Sequence, residues 1–202
     1  DRLLIVDYGE EHSVWFSADG SEVYFLGDFV QASGTGTLYR APVGSGSSAA
    51  IATGVGWLGR FRFTPAGDRL LVFTDVGVSG NGTLRSYSKQ TTLTTALASG
   101  VPADSSGLQV SSDGSSVFVL ADPSSSRWSL KRITLSTAAS LTLATGVGAF
   151  KLSPSNNHVA HHGGGGFGQL GALGIIKTDG SSGQGMVPDV EWGAFKWAGS
   201  SS

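Results

Sequence analysis

Three aspartates recur at equal intervals: Asp28, Asp75 and Asp122 lie 47 residues apart. Carboxylate oxygens are hard ligands, so a ring of them on one rim would attract a cation such as calcium. An aspartate at a strand end also bonds its own backbone and starts a turn, and that plainer role is the one the pattern favours. Arg62, Gln109, Lys151 and Lys196 share one position in a recurring short strand, with Trp15 completing the set. They would form a partly basic wall if that position lines a channel. The alternative, preferred here, is that they satisfy carbonyls or neighbouring carboxylates. His158, His161 and His162 supply imidazoles close in sequence, and imidazoles are common metal ligands. On a strand His161 and His162 point to opposite faces, so at most one could join a site with a third ligand.

Other motifs lead nowhere chemical. The glycine run Gly163–Gly168 fits a dinucleotide pattern by letter, but it opens no helix and follows no parallel strand. Gly77-Val78-Ser79-Gly80 approaches a nucleophile elbow, yet Asn81 stands where the second glycine is needed. Asn81-Gly82-Thr83 is a glycosylation sequon by letter, expected on an exposed hairpin. The expectation is no catalytic constellation, no metal centre and no cofactor, with calcium at the aspartate positions the single exception kept open.

The elements that would hold these residues follow from repetition. Phe16, Phe63, Val110 and Leu152 each open a short strand, a tight turn and a second strand, at spacings of 47, 47 and 42 residues. Trp197 closes a fifth such start 45 residues later. Turns fall at Ala18-Asp19-Gly20, Pro65-Ala66-Gly67 and Ser112-Asp113-Gly114, where glycine supplies the positive φ. The second strands are unbroken apolar runs, Val23–Leu26, Leu70–Phe73 and Val117–Leu120, as strands covered on both faces are. Third strands are expected at Thr37–Pro42, Thr83–Tyr87 and Trp128–Ile133. Fourth strands are expected at Ile51–Gly56, Leu97–Val101 and Leu143–Gly148, 46 residues apart. In the fourth unit, Gly163–Gly180 reads as a long, pliable hairpin.

Four strands per repeat of this length predict an all-β protein, a β-propeller of four-stranded antiparallel blades. The blades are expected at about 12–56, 59–101, 107–147 and 149–189, with partial strands at 1–7 and 191–197. Residues 1–7 read as the fourth strand of a preceding unit. Two strands are too few for a fifth blade, since a two-stranded ribbon is marginal in water. The chain is therefore expected to be part of a larger propeller, with further blades upstream, downstream or on a partner chain.

Composition narrows the partners. The 202 residues carry a net charge of −2 and only 14% charged side chains, without the basic excess that nucleic-acid binding needs. There is no Cys, which removes disulfides, thiolate metal sites and a cysteine nucleophile. No apolar run approaches the roughly 20 residues that span a bilayer. Glycine, serine and threonine make the polar surface, which points to a periplasmic, outer-membrane-associated or extracellular setting.

The motifs Phe16–Gly20, Val110–Gly114 and Leu38–Gly46 resemble the TolB-like, PDG-type (WD-like) β-propeller repeats. No single repeat has the full Pro-Asp-Gly: Pro65 and Pro154 lack the aspartate, and Asp19 and Asp113 lack the proline. The resemblance implies closure with six to eight blades and a non-enzymatic scaffold that binds another protein through a face or channel. It also admits a propeller lyase or hydrolase, or the accessory propeller of a serine peptidase. A structural subunit of a surface layer or filament is the third reading.

Overall fold

The computed structural model of the protein describes residues 14–56, 62–77, 79–103, 107–124, 127–163, 170–181, 183–191 and 197. Every regular element among them is a strand. Sheet one holds β1 (Val14–Phe16), β2 (Glu22–Val30), β3 (Thr35–Pro42) and β4 (Ala49–Gly56). Sheet two holds β5 (Arg62–Phe63), β6 (Arg69–Thr74), β7 (Asn81–Ser88) and β8 (Thr94–Pro102). Sheet three holds β9 (Leu108–Val110), β10 (Ser116–Ser124), β11 (Arg127–Thr134) and β12 (Ser140–Val147). Sheet four holds β13 (Ala149–Leu152), β14 (His158–His162), β15 (Leu170–Lys177) and β16 (Gln184–Glu191). Each sheet is an antiparallel meander in chain order; sheets one and two are also joined by the single pair Val55–Thr74. The partial strand read at 1–7 lies outside the described residues, as do 192–196.

The turn chemistry explains the first hairpins. Gly20, Gly67 and Gly114 sit at φ of 68°, 68° and 71°. The fourth repeat has no glycine there; Asn156 takes the same left-handed conformation at φ 60°, which asparagine tolerates better than most residues. Of the stretch read as one pliable hairpin, Leu170–Lys177 is instead the paired third strand of sheet four. The Asn81 sequon lies in the β6–β7 hairpin, directly after its turn, where Asn81 is half-buried and pairs with Pro102.

Among the described residues, sheets two and three each bury two faces, a leading face towards the preceding sheet and a trailing face towards the next. Between sheets one and two, Tyr24, Leu38 and Val55 meet Leu70, Val72 and Tyr87. Between two and three, Leu71, Phe73, Leu84 and Val101 meet Val117, Val119 and Ile133. Between three and four, Phe118, Leu120 and Leu130 meet Phe150 and Val159. Alternate residues of one strand thus serve two cores, which is why β6 and β10 read as unbroken apolar runs. Each such side chain contributes about 1.5–3 kcal/mol on burial. β2 is the exception. It buries Tyr24 and Phe25 but leaves Val23 and Leu26 on either side of them partly exposed.

Candidate functional site

The short first strands carry the polar set singled out by the sequence. Arg62 Nη1 donates to the Leu108 carbonyl at 3.3 Å, from sheet two to sheet three. Gln109 Nε2 donates to the Phe150 carbonyl at 3.2 Å, from sheet three to sheet four. Its Oε1 also accepts the Leu152 N–H at 2.9 Å. Leu108 and Phe150 hold the same place in their repeats, so one acceptor position is used twice. Lys151 has an exposed side chain, and its own carbonyl accepts from Trp197 Nε1 at 3.3 Å. Trp15 lies opposite Tyr24 and packs into the core between sheets one and two. Lys196 falls outside the described residues. Arg62 and Gln109 thus fasten successive sheets to each other along their first strands.

The aspartates occupy the far ends of the second strands. All three are left-handed, Asp28 at φ 48°, Asp75 at 56° and Asp122 at 52°. Each carboxylate is met by the third strand of its own sheet. Tyr39 Oη donates to Asp28, Lys131 pairs with Asp122, and Arg85 Nη2 lies 3.6 Å from Asp75. Tyr39, Arg85 and Lys131 are equivalent residues, a match hidden in the sequence because a phenol, a guanidinium and an ammonium look unrelated. Both ion pairs have a largely exposed aspartate, so each is worth no more than about 1 kcal/mol. Among the described residues no group of three or more His, Asp or Glu is close enough to hold a metal ion. The backbone carries the rest of this joint. Asp75 N–H donates to the Gly54 carbonyl of sheet one at 2.9 Å, where Gly54 has φ 66°. Gly100 and Gly146 repeat that left-handed bulge at φ 63° and 69°, and Asp189 repeats it in β16 at φ 57°.

A second repeated device went unread in the sequence. Ser17, Thr64, Ser111 and Ser153 follow the first strands and are buried. Each hydroxyl accepts the N–H five residues on, from Glu22, Arg69, Ser116 and His158. Ser17, Thr64 and Ser111 also donate to a turn carboxylate, Asp19, Asp68 and Asp113, at 2.6 Å in each case. Hydrogen bonds from Ser17 and then Ser21 hold the Asp19 carboxyl well below its ordinary range. Those from Ser111 and Ser115 lower Asp113 in the same way. A hydroxyl residue at one position in all four repeats was the available signal.

The histidines sit on opposite faces of β14. His161 lies opposite Phe150 on the leading face, and burial, then the neighbouring His162, lowers its pKa. Its Nδ1 is buried with no hydrogen-bond partner. His162 is fully buried, with Nε2 2.7 Å from the Val190 carbonyl. A charged corner sits between sheets one and two. Glu22 lies 2.9 Å from Lys89 Nζ and 3.4 Å from Arg40, and accepts from Tyr24 Oη at 2.9 Å. Burial opposes its ionisation, but Lys89, Tyr24 and Arg40 outweigh that and lower its pKa.

No family model matches the sequence, and no curated protein matches it. Solved structures do match the fold. The β-propeller domain of the Trilobed protease from Pyrococcus furiosus superposes with a TM-score of 0.57 at 8% identity, over 85% of this chain and 55% of that one. A eukaryotic initiation factor gives 0.56 at 16% identity, over 88% and 43%. A TolB-type protein from Agrobacterium tumefaciens gives 0.51 at 14% identity, over 87% and 64%. The fold of the chain is that of a β-propeller, as in these three structures, and the chain spans less than two thirds of the length of each of them.

Proposed function

We propose that this chain is a non-enzymatic propeller module that binds another protein through a rim or the channel, in the cell envelope or outside the cell. The observation that carries the reading is the use made of the first strands. Arg62 and Gln109, on the strands from which a propeller enzyme would reach a channel substrate, spend their polar groups on the next sheet's backbone. Such bonds stiffen a platform. The fold alone does not decide between scaffold and enzyme. A rim supplies the contact surface: Val30 is 55% exposed beside the β2–β3 turn, and Leu93 is 65% exposed on the opposite rim. The glycine-, serine- and threonine-rich surface supports the envelope or extracellular setting. The test places a photo-crosslinking residue at Val30 or Leu93 in cells and analyses the products. One discrete protein adduct from one rim is expected. Turnover of glycan or peptide substrates that is lost in Gln109→Ala, with no adduct from either rim, would overturn the proposal.

A further inference from the structure

At the rim that carries the first turns, the seam between sheets one and two ends differently from the other two. The pairing registers identify the matching places. Tyr24 pairs with Arg40, Leu71 with Ser86, and Phe118 with Arg132. From the following sheet, Tyr87, Ile133 and Ile176 stand at one matched position. Lys89, Leu135 and Thr178 stand at the next, each sending its N–H back to the first turn, to the carbonyls of Asp68, Ser115 and Asn157. The seam of sheets two and three therefore ends on Leu135, which is buried. That of sheets three and four ends on Arg132, whose Nη1 donates to the Thr178 carbonyl at 2.9 Å. The first seam instead gathers Glu22, Tyr24, Arg40, Tyr87 and Lys89.

The groups in this corner do not balance. Glu22 is fully engaged: Oε1 lies 3.4 Å from Arg40 Nη1, and Oε2 takes Lys89 Nζ and the Tyr24 hydroxyl, each at 2.9 Å. Two cations share that one carboxylate, which leaves one positive charge over. The turn carboxylates do not cancel it. Asp68 faces Arg69, and Asp19 is held by Ser17 and Ser21. Arg40 meets Glu22 through Nη1, leaving Nε and Nη2 for a second acceptor. Behind it, Tyr87 is 1% exposed, and its hydroxyl is buried with no hydrogen-bond partner. Burial pushes the pKa of that hydroxyl up, and Arg40 is its strongest charged neighbour, which puts both at one corner. A buried donor without an acceptor is rare enough to need a reason. The Arg40 and Lys89 side chains are 25% and 22% exposed, so the corner is open to a ligand from the rim.

We propose that this corner is a carboxylate-binding site, and that it takes an acidic side chain of the bound protein. The second clause rests on the protein-binding reading above; the site itself does not. Arg40 Nε and Nη2 present a planar fork to the two carboxylate oxygens. Lys89 adds charge from the rim, and the Tyr87 hydroxyl donates from inside. A single surplus charge suits a carboxylate. A phosphate dianion would set its second charge against Glu22.

The full chain is titrated with two acetylated tripeptide amides, Gly-Glu-Gly and Gly-Gln-Gly, and the Arg40 Nε–H signal is followed by NMR. The glutamate peptide is expected to shift it saturably and to bind at least about 10-fold more tightly than the glutamine peptide, with affinity falling as salt rises. Acetate should compete. Arg40→Gln should abolish the preference, but it also removes a seam contact, so Tyr87→Phe is the sharper variant. It takes away only the unpartnered hydroxyl, should leave the melting temperature equal or higher, and should weaken the glutamate peptide by about 3-fold or more. Equal affinity for the two peptides would overturn the site, as would inorganic phosphate binding more tightly than the glutamate peptide, or an affinity unchanged in Tyr87→Phe. A Leu93 adduct in cells without any glutamate preference would overturn this site alone and leave the protein-binding reading standing. A glutamate preference with no adduct in cells would uphold the site and overturn the protein as its occupant.

Discussion

Sheets three and four are built on one plan with different side chains. Where sheet three has Val119 opposite Lys131, sheet four has His161 opposite Gly174. The exchange is steric: a Cβ on Gly174 would lie 2.7 Å from His161 Nε2, so the ring occupies the space of the missing side chain. Sheet three closes its first turn with Gly114 and Asp113, and sheet four with Asn156 and Ser155. What the two share is backbone: a left-handed residue in the turn, a left-handed bulge in the last strand, and a buried hydroxyl after the first. The repeat conserves the conformations that set sheet against sheet and lets the seam chemistry vary.

The largest effect should come from charging the seam at the compared position. Val119 is fully buried, and Val119→Asp is expected to cost several kcal/mol or prevent folding, because the carboxylate has no partner there. His161→Val removes a buried, unpartnered nitrogen but empties the space its ring fills beside Gly174, so a change of no more than about 1 kcal/mol is expected. Equal losses from both, read by denaturant unfolding, would break the comparison.

Backbone positions come next. A Cβ on Gly100 meets Pro123 Cδ at 2.9 Å, and the residue has φ 63°. Gly100→Ala is therefore expected to cost about 2–3 kcal/mol. Asn156→Gly in sheet four relieves the left-handed backbone but loses the side-chain bonds to Ser112 of sheet three, so a smaller net loss, about 1 kcal/mol or less, is expected. Thermal melts of the pair check that order.

The hydroxyl device should divide the sheets more finely. Ser111→Ala removes the acceptor for Ser116 N–H and the donor to Asp113, a loss of about 1–2 kcal/mol. Ser153→Ala loses the bond from His158 N–H but no carboxylate contact, so about 1 kcal/mol or less is expected.

Acid should act in two stages. His161 has a folded-state pKa below its ordinary 6.5, so the unfolded chain binds its proton first and stability begins to fall as pH drops below 6.5. Asp19 and Asp113 also have lowered values, below their ordinary 3.8. Their contribution is complete above 3.8 and is lost as pH falls through the depressed folded-state values. In His161→Val the first stage should vanish while the second remains; in Ser111→Ala the second should shrink.

Legibility followed chemistry. The turns at Gly20, Gly67 and Gly114 and the apolar second strands were readable because glycine and unbroken valine and leucine runs each have one structural meaning. The aspartate spacing was readable too, but its role was not. A left-handed φ at Asp28, Asp75 and Asp122 leaves no letter, and their partners Tyr39, Arg85 and Lys131 share only a position. β16 carried no strand signal, since Pro188 interrupts it and the bulge that accommodates the proline is visible only in the register. Gln109 was placed correctly in the pattern, while its two-way bond across the seam needed coordinates.

The proposed role rests most directly on the bonds by which Arg62 and Gln109 join successive sheets. Native-state hydrogen exchange at the Leu152 amide, in the natural chain and in Gln109→Ala, reads one of these bonds at a single atom. Leu152 N–H, deprived of Gln109 Oε1, is expected to exchange about 10- to 100-fold faster, while Asp75 N–H at the seam of sheets one and two keeps its rate. An unchanged Leu152 rate would mean that Gln109 does not hold the seam, and its amide would be free for work in the channel.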